Sequence, residues 1–427
     1  MTYTDGRQRF GHHRHPAHFS LDDRYTTRDG EILLTGVQGL VRLVIDQLRQ
    51  DRARSMRTAA FVSGYPGSPL GGFDQALDRA PTGDVEIHHL PGLNEELAAT
   101  AIWGSQQDNL ATLDDRDGVI GLWYGKSPGL DRCGDVLRHA NQHGVGQNGG
   151  VVLAVGDDPS SKSSTLPCAS EAAMFDLGIP AFEPGTVGEL LRLGHHGYAM
   201  SRYTGLWTGL KITTALADGF AITNVSSQEL MIVDPQVEFD GEPWVYKQRP
   251  RFFIPDTVEL EQELYEKRLP AAEAYAAANG INRITASSPN DRVGIIAAGH
   301  TFHELRQALA DLGIDDLALS SAGIRLLQLG LVFPLERKIV SRFADGLTDI
   351  VVVEEKRAFI EMLLRNSLYG RADAPRIHGK TRADGRRLVP TDSELTADRI
   401  AVVLRMILAD LTTVATRPAA PPGPPPF

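Results

Sequence analysis

Phe61-Val62-Ser63-Gly64-Tyr65-Pro66-Gly67-Ser68-Pro69-Leu70-Gly71-Gly72 joins an apolar run to a glycine-rich turn. The run Ala59–Val62 has the continuous apolar character of a strand buried on both faces, and Phe73–Arg79, after the turn, reads as helical. A strand that passes to a helix through such a turn belongs to an open parallel sheet, whose ligands bind at the carboxyl ends of the strands. The glycines let backbone approach a ligand closely, and Ser68 offers a hydroxyl at the turn. A tight strand–helix connection that binds nothing would use the same residues. Gly-x-Gly-x-x-Gly is absent, so the turn is not a dinucleotide fingerprint.

Outward from this turn the pattern repeats. Val85–His88, Val119–Tyr124, Val151–Val155 and Gly205–Ile212 read as strands; Val37–Arg49, Asn94–Asn109, Leu130–Gln142 and Val187–Arg202 read as helices. The alternation predicts an α/β domain on a parallel sheet over residues 24–231. Residues 232–290, with Pro235, Pro243, Pro250 and Pro255 and then a charged helical stretch Val258–Asn279, read as a connector. A smaller α/β unit is expected over 291–412. In it Val293–Ala298 is a strand, Thr301–Leu312 is a helix stopped at Gly313, and Ile324–Leu329, Pro334–Ala344 and Ile350–Glu354 continue the alternation. A last helix, Thr396–Leu411, has Thr391, Ser393 or Thr396 as its candidate cap. Residues 1–23, with His12, His13, His15 and His18, read as a disordered solvated arm, and the Pro-rich 413–427 as an extended tail.

The bulk figures set limits. A length of 427 residues, 42% apolar and 23% charged, suits a globular chain of two or three domains. A net charge of −11 argues against nucleic acid or an anionic membrane as the main partner. There is no apolar run of about 18 residues and no signal-peptide core, so a cytoplasmic protein is expected. Cys133 and Cys168 form no Cys-x-x-Cys pair, and no structural zinc or iron–sulfur cluster is expected on this chain alone.

Three further loops follow predicted strands. In Pro91-Gly92-Leu93-Asn94-Glu95-Glu96, Asn94 suits a helix cap and the acids suit the first turn, where the helix dipole favours them. Small residues at Ala98, Ala99 and Ala101 indicate close packing, so a Glu at the head of this helix also has the chance to meet a ligand. Tyr124-Gly125-Lys126-Ser127-Pro128-Gly129 invites a P-loop reading, but Ile120 stands where the first Gly is required. Gly156-Asp157-Asp158-Pro159-Ser160-Ser161-Lys162-Ser163-Ser164-Thr165 reads either as a divalent-ion site or as a hydroxyl-rich loop with local capping. Together the four loops describe a crevice at one edge of the sheet.

With these loops in hand, the chain resembles the N-terminal portion of the indolepyruvate ferredoxin oxidoreductases, within the 2-oxoacid:ferredoxin oxidoreductase family. The resemblance runs from Ser20-Leu21-Asp22-Asp23-Arg24-Tyr25 almost to the last residue. It includes Gly64–Pro69, Asn94-Glu95, Trp123-Tyr124-Gly125-Lys126, Gly156-Asp157-Asp158, Ser163-Ser164-Thr165-Leu166-Pro167 and Val353-Glu354-Glu355-Lys356-Arg357. It implies a thiamine-pyrimidine-binding domain followed by a transketolase C-terminal-like domain. The implied activity is oxidative decarboxylation of an aryl 2-oxoacid to its acyl-CoA, with thiamine diphosphate as cofactor, coenzyme A as co-substrate and electrons passing through [4Fe-4S] clusters to ferredoxin. Thiamine must lose its C2 proton, and the base is the ring's own imino nitrogen, formed when a carboxylic acid hydrogen-bonds the ring nitrogen N1′. A partly buried Glu with a raised pKa suits that task, and by resemblance it is Glu95, with Glu96 as its competitor. Ser68 matches the hydroxyl that lies against the substrate, and Gly64, Tyr65, Pro66, Gly67 and Asn94 complete the cofactor-side residues. The substrate carboxylate needs a cation, for which Lys126, Arg132 and Lys162 are the candidates.

The chain departs from this pattern in two respects. No Gly-Asp-Gly followed by Asn is present to clamp a diphosphate and Mg²⁺, and the cluster cysteines are missing. The expectation is therefore a subunit or fragment, one of an oligomer, that acts only with a partner carrying the Gly-Asp-Gly segment and the cysteines. Two rival readings stand beside it: a non-catalytic truncated remnant that serves as a binding or scaffolding module, and a stand-alone nucleotide-binding enzyme. The broken P-loop and missing dinucleotide fingerprint count against the second.

Overall fold

The computed structural model describes residues 20–107, 116–225, 230–249 and 252–417. The histidine-rich stretch and the end of the Pro-rich tail lie outside them. In chain order the strands are β1 (Glu31–Thr35), β2 (Thr58–Gly64), β3 (Ile87–His89), β4 (Gly118–Lys126), β5 (Val151–Asp157), β6 (Ala181–Phe182), β7 (Thr208–Thr213) and β8 (Phe220–Asn224). A hairpin of β9 (Val237–Phe239) and β10 (Glu242–Trp244) follows. Then come β11 (Arg283–Ala286), β12 (Val293–Ala298), β13 (Ile324–Leu329), β14 (Leu331–Phe333), β15 (Asp349–Val352) and β16 (Arg376–His378).

The larger sheet has seven strands in the order β14-β6-β7-β5-β4-β2-β3, parallel except where β14 runs antiparallel to β6. Helices cover both faces, and close approach at glycines shows how. Gly197 of the helix Val187–Thr204 abuts Thr208 and Val152 on one face; on the other, Gly121 abuts Ile102 of the helix Glu95–Ser105. The helix Gly36–Ala53 packs on Val187–Thr204, where a Cβ on Gly194 would stand 2.4 Å from Leu43. Helices on both faces explain why β5 is apolar without alternation from Val151 to Val155, and every residue of β5 and of β7 is buried. The second sheet, β11-β13-β12-β15-β16, is parallel apart from the edge strand β11. The fold is thus α/β, with two mainly parallel sheets.

Several boundaries differ from expectation. β11 lies inside the stretch assigned to the connector, and β14 leaves the second unit to close the first sheet beyond β6. An edge strand offers unpaired amides and carbonyls, and pairing it with any nearby segment removes them from water, whatever the order along the chain. The helix expected over Leu130–Gln142 is two helices, Ser127–Arg132 and Gly134–His143, broken at Cys133 between Gly129 and Gly134. The strand expected from Gly205 starts at Thr208, because Gly205, at φ 75°, is the left-handed stop of the preceding helix. The connector helix runs Asp256–Ala278 with a π-helical stretch, Leu264–Arg268, just before Pro270, whose missing N–H favours a wider turn. Asp23 already begins a helical turn, so order starts before the expected end of the arm. Thr396 occupies the cap position of the last helix, but the amide of Ala397 donates instead to Glu304 (2.6 Å). Among the described residues no helix is long and apolar enough to cross a membrane.

Candidate active site

The carboxyl ends of β5, β4, β2 and β3 lie side by side, which brings the four loops singled out in the sequence to one edge of the sheet. The loop after β2 is held by backbone. The amide of Tyr65 donates to the carbonyl of Tyr124 (3.0 Å), and that of Gly92 to the carbonyl of Gly64 (2.9 Å). Gly64 has to be glycine, since a Cβ there would stand 2.1 Å from the Tyr124 oxygen. Gly67 lies along the stem of Lys126, and Pro69 lies against Gly156, where a Cβ would be 2.6 Å from Pro69 Cδ. The hydroxyl of Ser68 hydrogen-bonds that of Ser163, joining the loops after β2 and β5. Tyr65 and Pro66 are exposed at the crevice.

Glu95 and Glu96 part company. Asn94 caps the helix Glu95–Ser105, its side chain accepting from the amide of Leu97 (2.8 Å). Glu95 is 7% exposed and turned inward, whereas Glu96 is exposed. The Glu95 carboxyl lies on Gly129, in the first turn of the helix Ser127–Arg132; a Cβ on Gly129 would come within 2.6 Å of Glu95 Cγ and 2.8 Å of Oε1. The Glu95 carbonyl accepts the indole N–H of the buried Trp123 (3.1 Å). Burial, and then the neighbouring Glu95 and Glu96 charges, push the Cys133 thiol up to about 12, so it is no nucleophile near neutral pH. In the sequence Gly129 is one glycine among many and carries no sign of what it faces. Its only signal is the Ser-Pro-Gly at the end of β4.

The loop after β5 is organised by Asp158. Its buried carboxylate accepts the amides of Lys162, Ser163 and Ser164, each at 2.9 Å. Burial works to raise its pKa, but these amides outweigh that and hold it below the ordinary carboxylate range. Of the two sequence readings of this loop, the locally capped one is realised, and among the described residues no cluster of His, Cys, Asp or Glu is arranged to hold a metal ion. The second unit braces the loop. Lys162 pairs with Glu394 (3.0 Å), Ser160 bonds Ser393 (2.9 Å), the Lys356 ammonium reaches the Pro159 carbonyl, and Arg357 reaches the Ala169 carbonyl (3.2 Å). Of the candidate cations, then, Lys126 adjoins the Gly67 turn, Lys162 is tied to the second unit, and Arg132 is exposed in the last turn of its helix.

Residues 283–417 match the family model described as the indolepyruvate oxidoreductase domain. The indolepyruvate oxidoreductase subunit IorA of Pyrococcus abyssi is 25% identical over 391 residues, covering 88% of this chain and 52% of the relative. The chain is similar to the α subunit of indolepyruvate oxidoreductases. It spans about half the length of the curated relatives it matches. Among solved structures, the 2-oxoglutarate:ferredoxin oxidoreductase of Magnetococcus marinus, with 2-oxoglutarate, coenzyme A and succinyl-CoA bound, aligns with a TM-score of 0.58 at 13% identity, over 88% of this chain and 65% of that one. A split-gene transketolase, described as an inactive β4 tetramer, aligns with a TM-score of 0.52 at 12% identity, over 88% of this chain and 98% of that one. At these identities the two structures share its fold.

Proposed function

We propose that this chain supplies the pyrimidine-side half of a thiamine diphosphate site in an indolepyruvate-type 2-oxoacid:ferredoxin oxidoreductase, acting on an aryl 2-oxoacid to give its acyl-CoA. The observation that carries the reading is Glu95: a buried carboxyl at a helix head, laid on Gly129, at the carboxyl edge of a parallel sheet. The cradle fits the pyrimidine half of the cofactor, because an acid sheltered from water on one side and backed by glycine can hold a proton toward a ring nitrogen. It does not fit the diphosphate half, for which the described residues offer no metal-binding cluster. Thiamine, when bound, supplies the carbon nucleophile and the electron sink. The chain's own task is narrower. Glu95 holds and returns a proton at its carboxyl oxygen, Asn94 sets the helix that aims it, and Ser68 presents a hydroxyl to the substrate. Among the three cations Lys126 is favoured for the substrate carboxylate, since it lies along the Gly64–Pro69 turn.

The rim supports a partner. Leu90 and Leu93 on the loop after β3, Leu97 in the helix it leads into, and Leu166 on the loop after β5 are 60%, 88%, 50% and 68% exposed. A cluster of exposed apolar side chains beside a site marks a surface that another protein surface covers. We assign that cover to a domain or subunit bearing the diphosphate and Mg²⁺ clamp, with the [4Fe-4S] clusters that pass electrons to ferredoxin also outside this chain. The test is reconstitution with such a partner, with indolepyruvate, coenzyme A and ferredoxin supplied. Ferredoxin reduction is expected, and Glu95→Gln should lower the turnover by roughly 10²-fold or more while Glu96→Gln stays near wild type. Equal activity of Glu95→Gln and wild type would sink the assignment. Partner binding without any turnover would favour a scaffolding remnant.

A further inference from the structure

Where the second sheet meets the first, behind the loop that follows β5, lies a buried cluster of charge that the proposed chemistry does not use. Lys211, from β7, is 6% exposed; its ammonium is 3.2 Å from Glu183 and 3.4 Å from Glu171. Asp157, at the end of β5, also acts on it. From the second unit come Glu354 and Glu355, just past β15, and Lys380, past β16. Glu361 faces Lys380 but is shared with Arg365, and the helix Gly299–Asp311 contributes only the uncharged Thr301. The cluster encloses a cavity of about 10 Å³, room for one water molecule at most. Carboxylates outnumber ammonium groups in this confined space. One of their oxygens, Asp157 Oδ1, has no hydrogen-bond donor although Asp157 is fully buried, and Glu171 Oε2 has only the Lys211 ammonium, at 3.4 Å, beside it.

Such an arrangement cannot be fully ionised. An ionised carboxylate oxygen without a protein donor in a space with room for at most one water is strongly disfavoured, and neighbouring acids reinforce the penalty. We propose that this seam is a proton-held latch: the two sheets stay docked while the cluster around Lys211 retains a proton, and they loosen as it is lost on the alkaline side. The titration agrees in direction. Burial, opposed by Lys211 and Ser170, pushes Asp157 up to about 7; burial pushes Glu354 up to about 7 against the three amides it accepts, and it raises Glu183 as well. Burial lowers Lys380 to about 8, so its charge too is weakened as pH rises. Each of these acids is easier to ionise unfolded. Its contribution to stability is therefore complete below the unfolded value and fades as pH rises through about 7.

The test uses the full chain and needs no partner or substrate. Thermal melts at constant ionic strength are compared from about pH 4 to pH 8.5, with amide exchange over residues 171–183 and 354–361, corrected for the intrinsic pH dependence of exchange. The wild type should lose melting temperature and seam protection across this range. Asp157→Asn, which keeps the shape of the protonated acid, should melt with the wild type at the acid end and above it at the alkaline end. Glu183→Gln gives an independent reading should Asp157→Asn fail to fold. Wild-type and variant profiles that run parallel, with seam exchange following only the intrinsic rate, would overturn the latch. Neither result bears on Glu95, so the latch and the proposed activity stand or fall separately.

Discussion

At the scale of the residue, chemistry is decided by what a side chain lies against. Glu95 and Glu96 are adjacent, identical in type and both in a first helical turn, yet one is buried on Gly129 and the other faces water. The sequence supplied the pair, and its capping logic accounted for Glu96; the choice between them needed the packing of a second helix. Gly129→Ala is the sharpest test of that packing. In an isolated helix the change would stabilise by about 1 kcal/mol. Here the new methyl would stand 2.8 Å from Glu95 Oε1 and push the carboxyl aside. In the reconstituted assembly we expect turnover to fall by roughly 10²-fold, in line with misplacement of a catalytic group by about 1 Å. Melting temperature, measured on the same samples, separates displacement from unfolding: a variant that melts like wild type and still turns over normally would remove Gly129 from the site.

At the scale of the element, propensity and capping set most of the boundaries. The helix Gly36–Ala53 begins with a capping box: Thr35 Oγ1 accepts the Gln38 amide (3.2 Å), and Gln38 Oε1 accepts the Thr35 amide (3.0 Å). Thr35→Ala should cost about 1 kcal/mol, read as a lower urea midpoint with unchanged slope, because the Gln38 amide loses its acceptor. The elements read with wrong limits share a cause. Gly205 ends a helix rather than opening a strand, and two helices meet at Cys133 where the pattern predicts one. A glycine leaves no apolar mark, so period counting passes over it. Only the backbone shows that Gly205 is left-handed.

At the scale of the whole molecule, the two sheets are coupled by more than the latch. Glu189, in the helix Val187–Thr204, accepts from Gln328 of β13 (2.8 Å) and from the Gly185 amide (2.8 Å), and it pairs with His303 (3.2 Å). Burial acts to raise its pKa, but His303, the Gly185 amide and Gln328 together bring it down to about 2. The sign is opposite to that of Asp157. A depressed acid contributes stability above its unfolded value, and that contribution is lost as pH falls toward about 2. Glu189→Gln should therefore lower the melting temperature at pH 7 and flatten the acid limb between about pH 4.5 and pH 2. Acid unfolding that keeps the wild-type steepness in the variant would show that the contact does not couple the sheets.

The class of fold, the parallel character of the main sheet and the order of its loops were legible in the chain, because a strand buried on both faces must be apolar throughout and a glycine turn must end it. The Gly64–Pro69 turn and the Asn94-Glu95 helix head were visible for the same local reason. Tertiary structure alone decided that Glu95 rather than Glu96 is sheltered, that Ser68 meets Ser163, that Lys162 is claimed by Glu394, and that β14 joins the first sheet. Each of these depends on residues far apart in the chain, and periodicity, which records only whether a position faces core or water, carries no information about which distant partner it will meet.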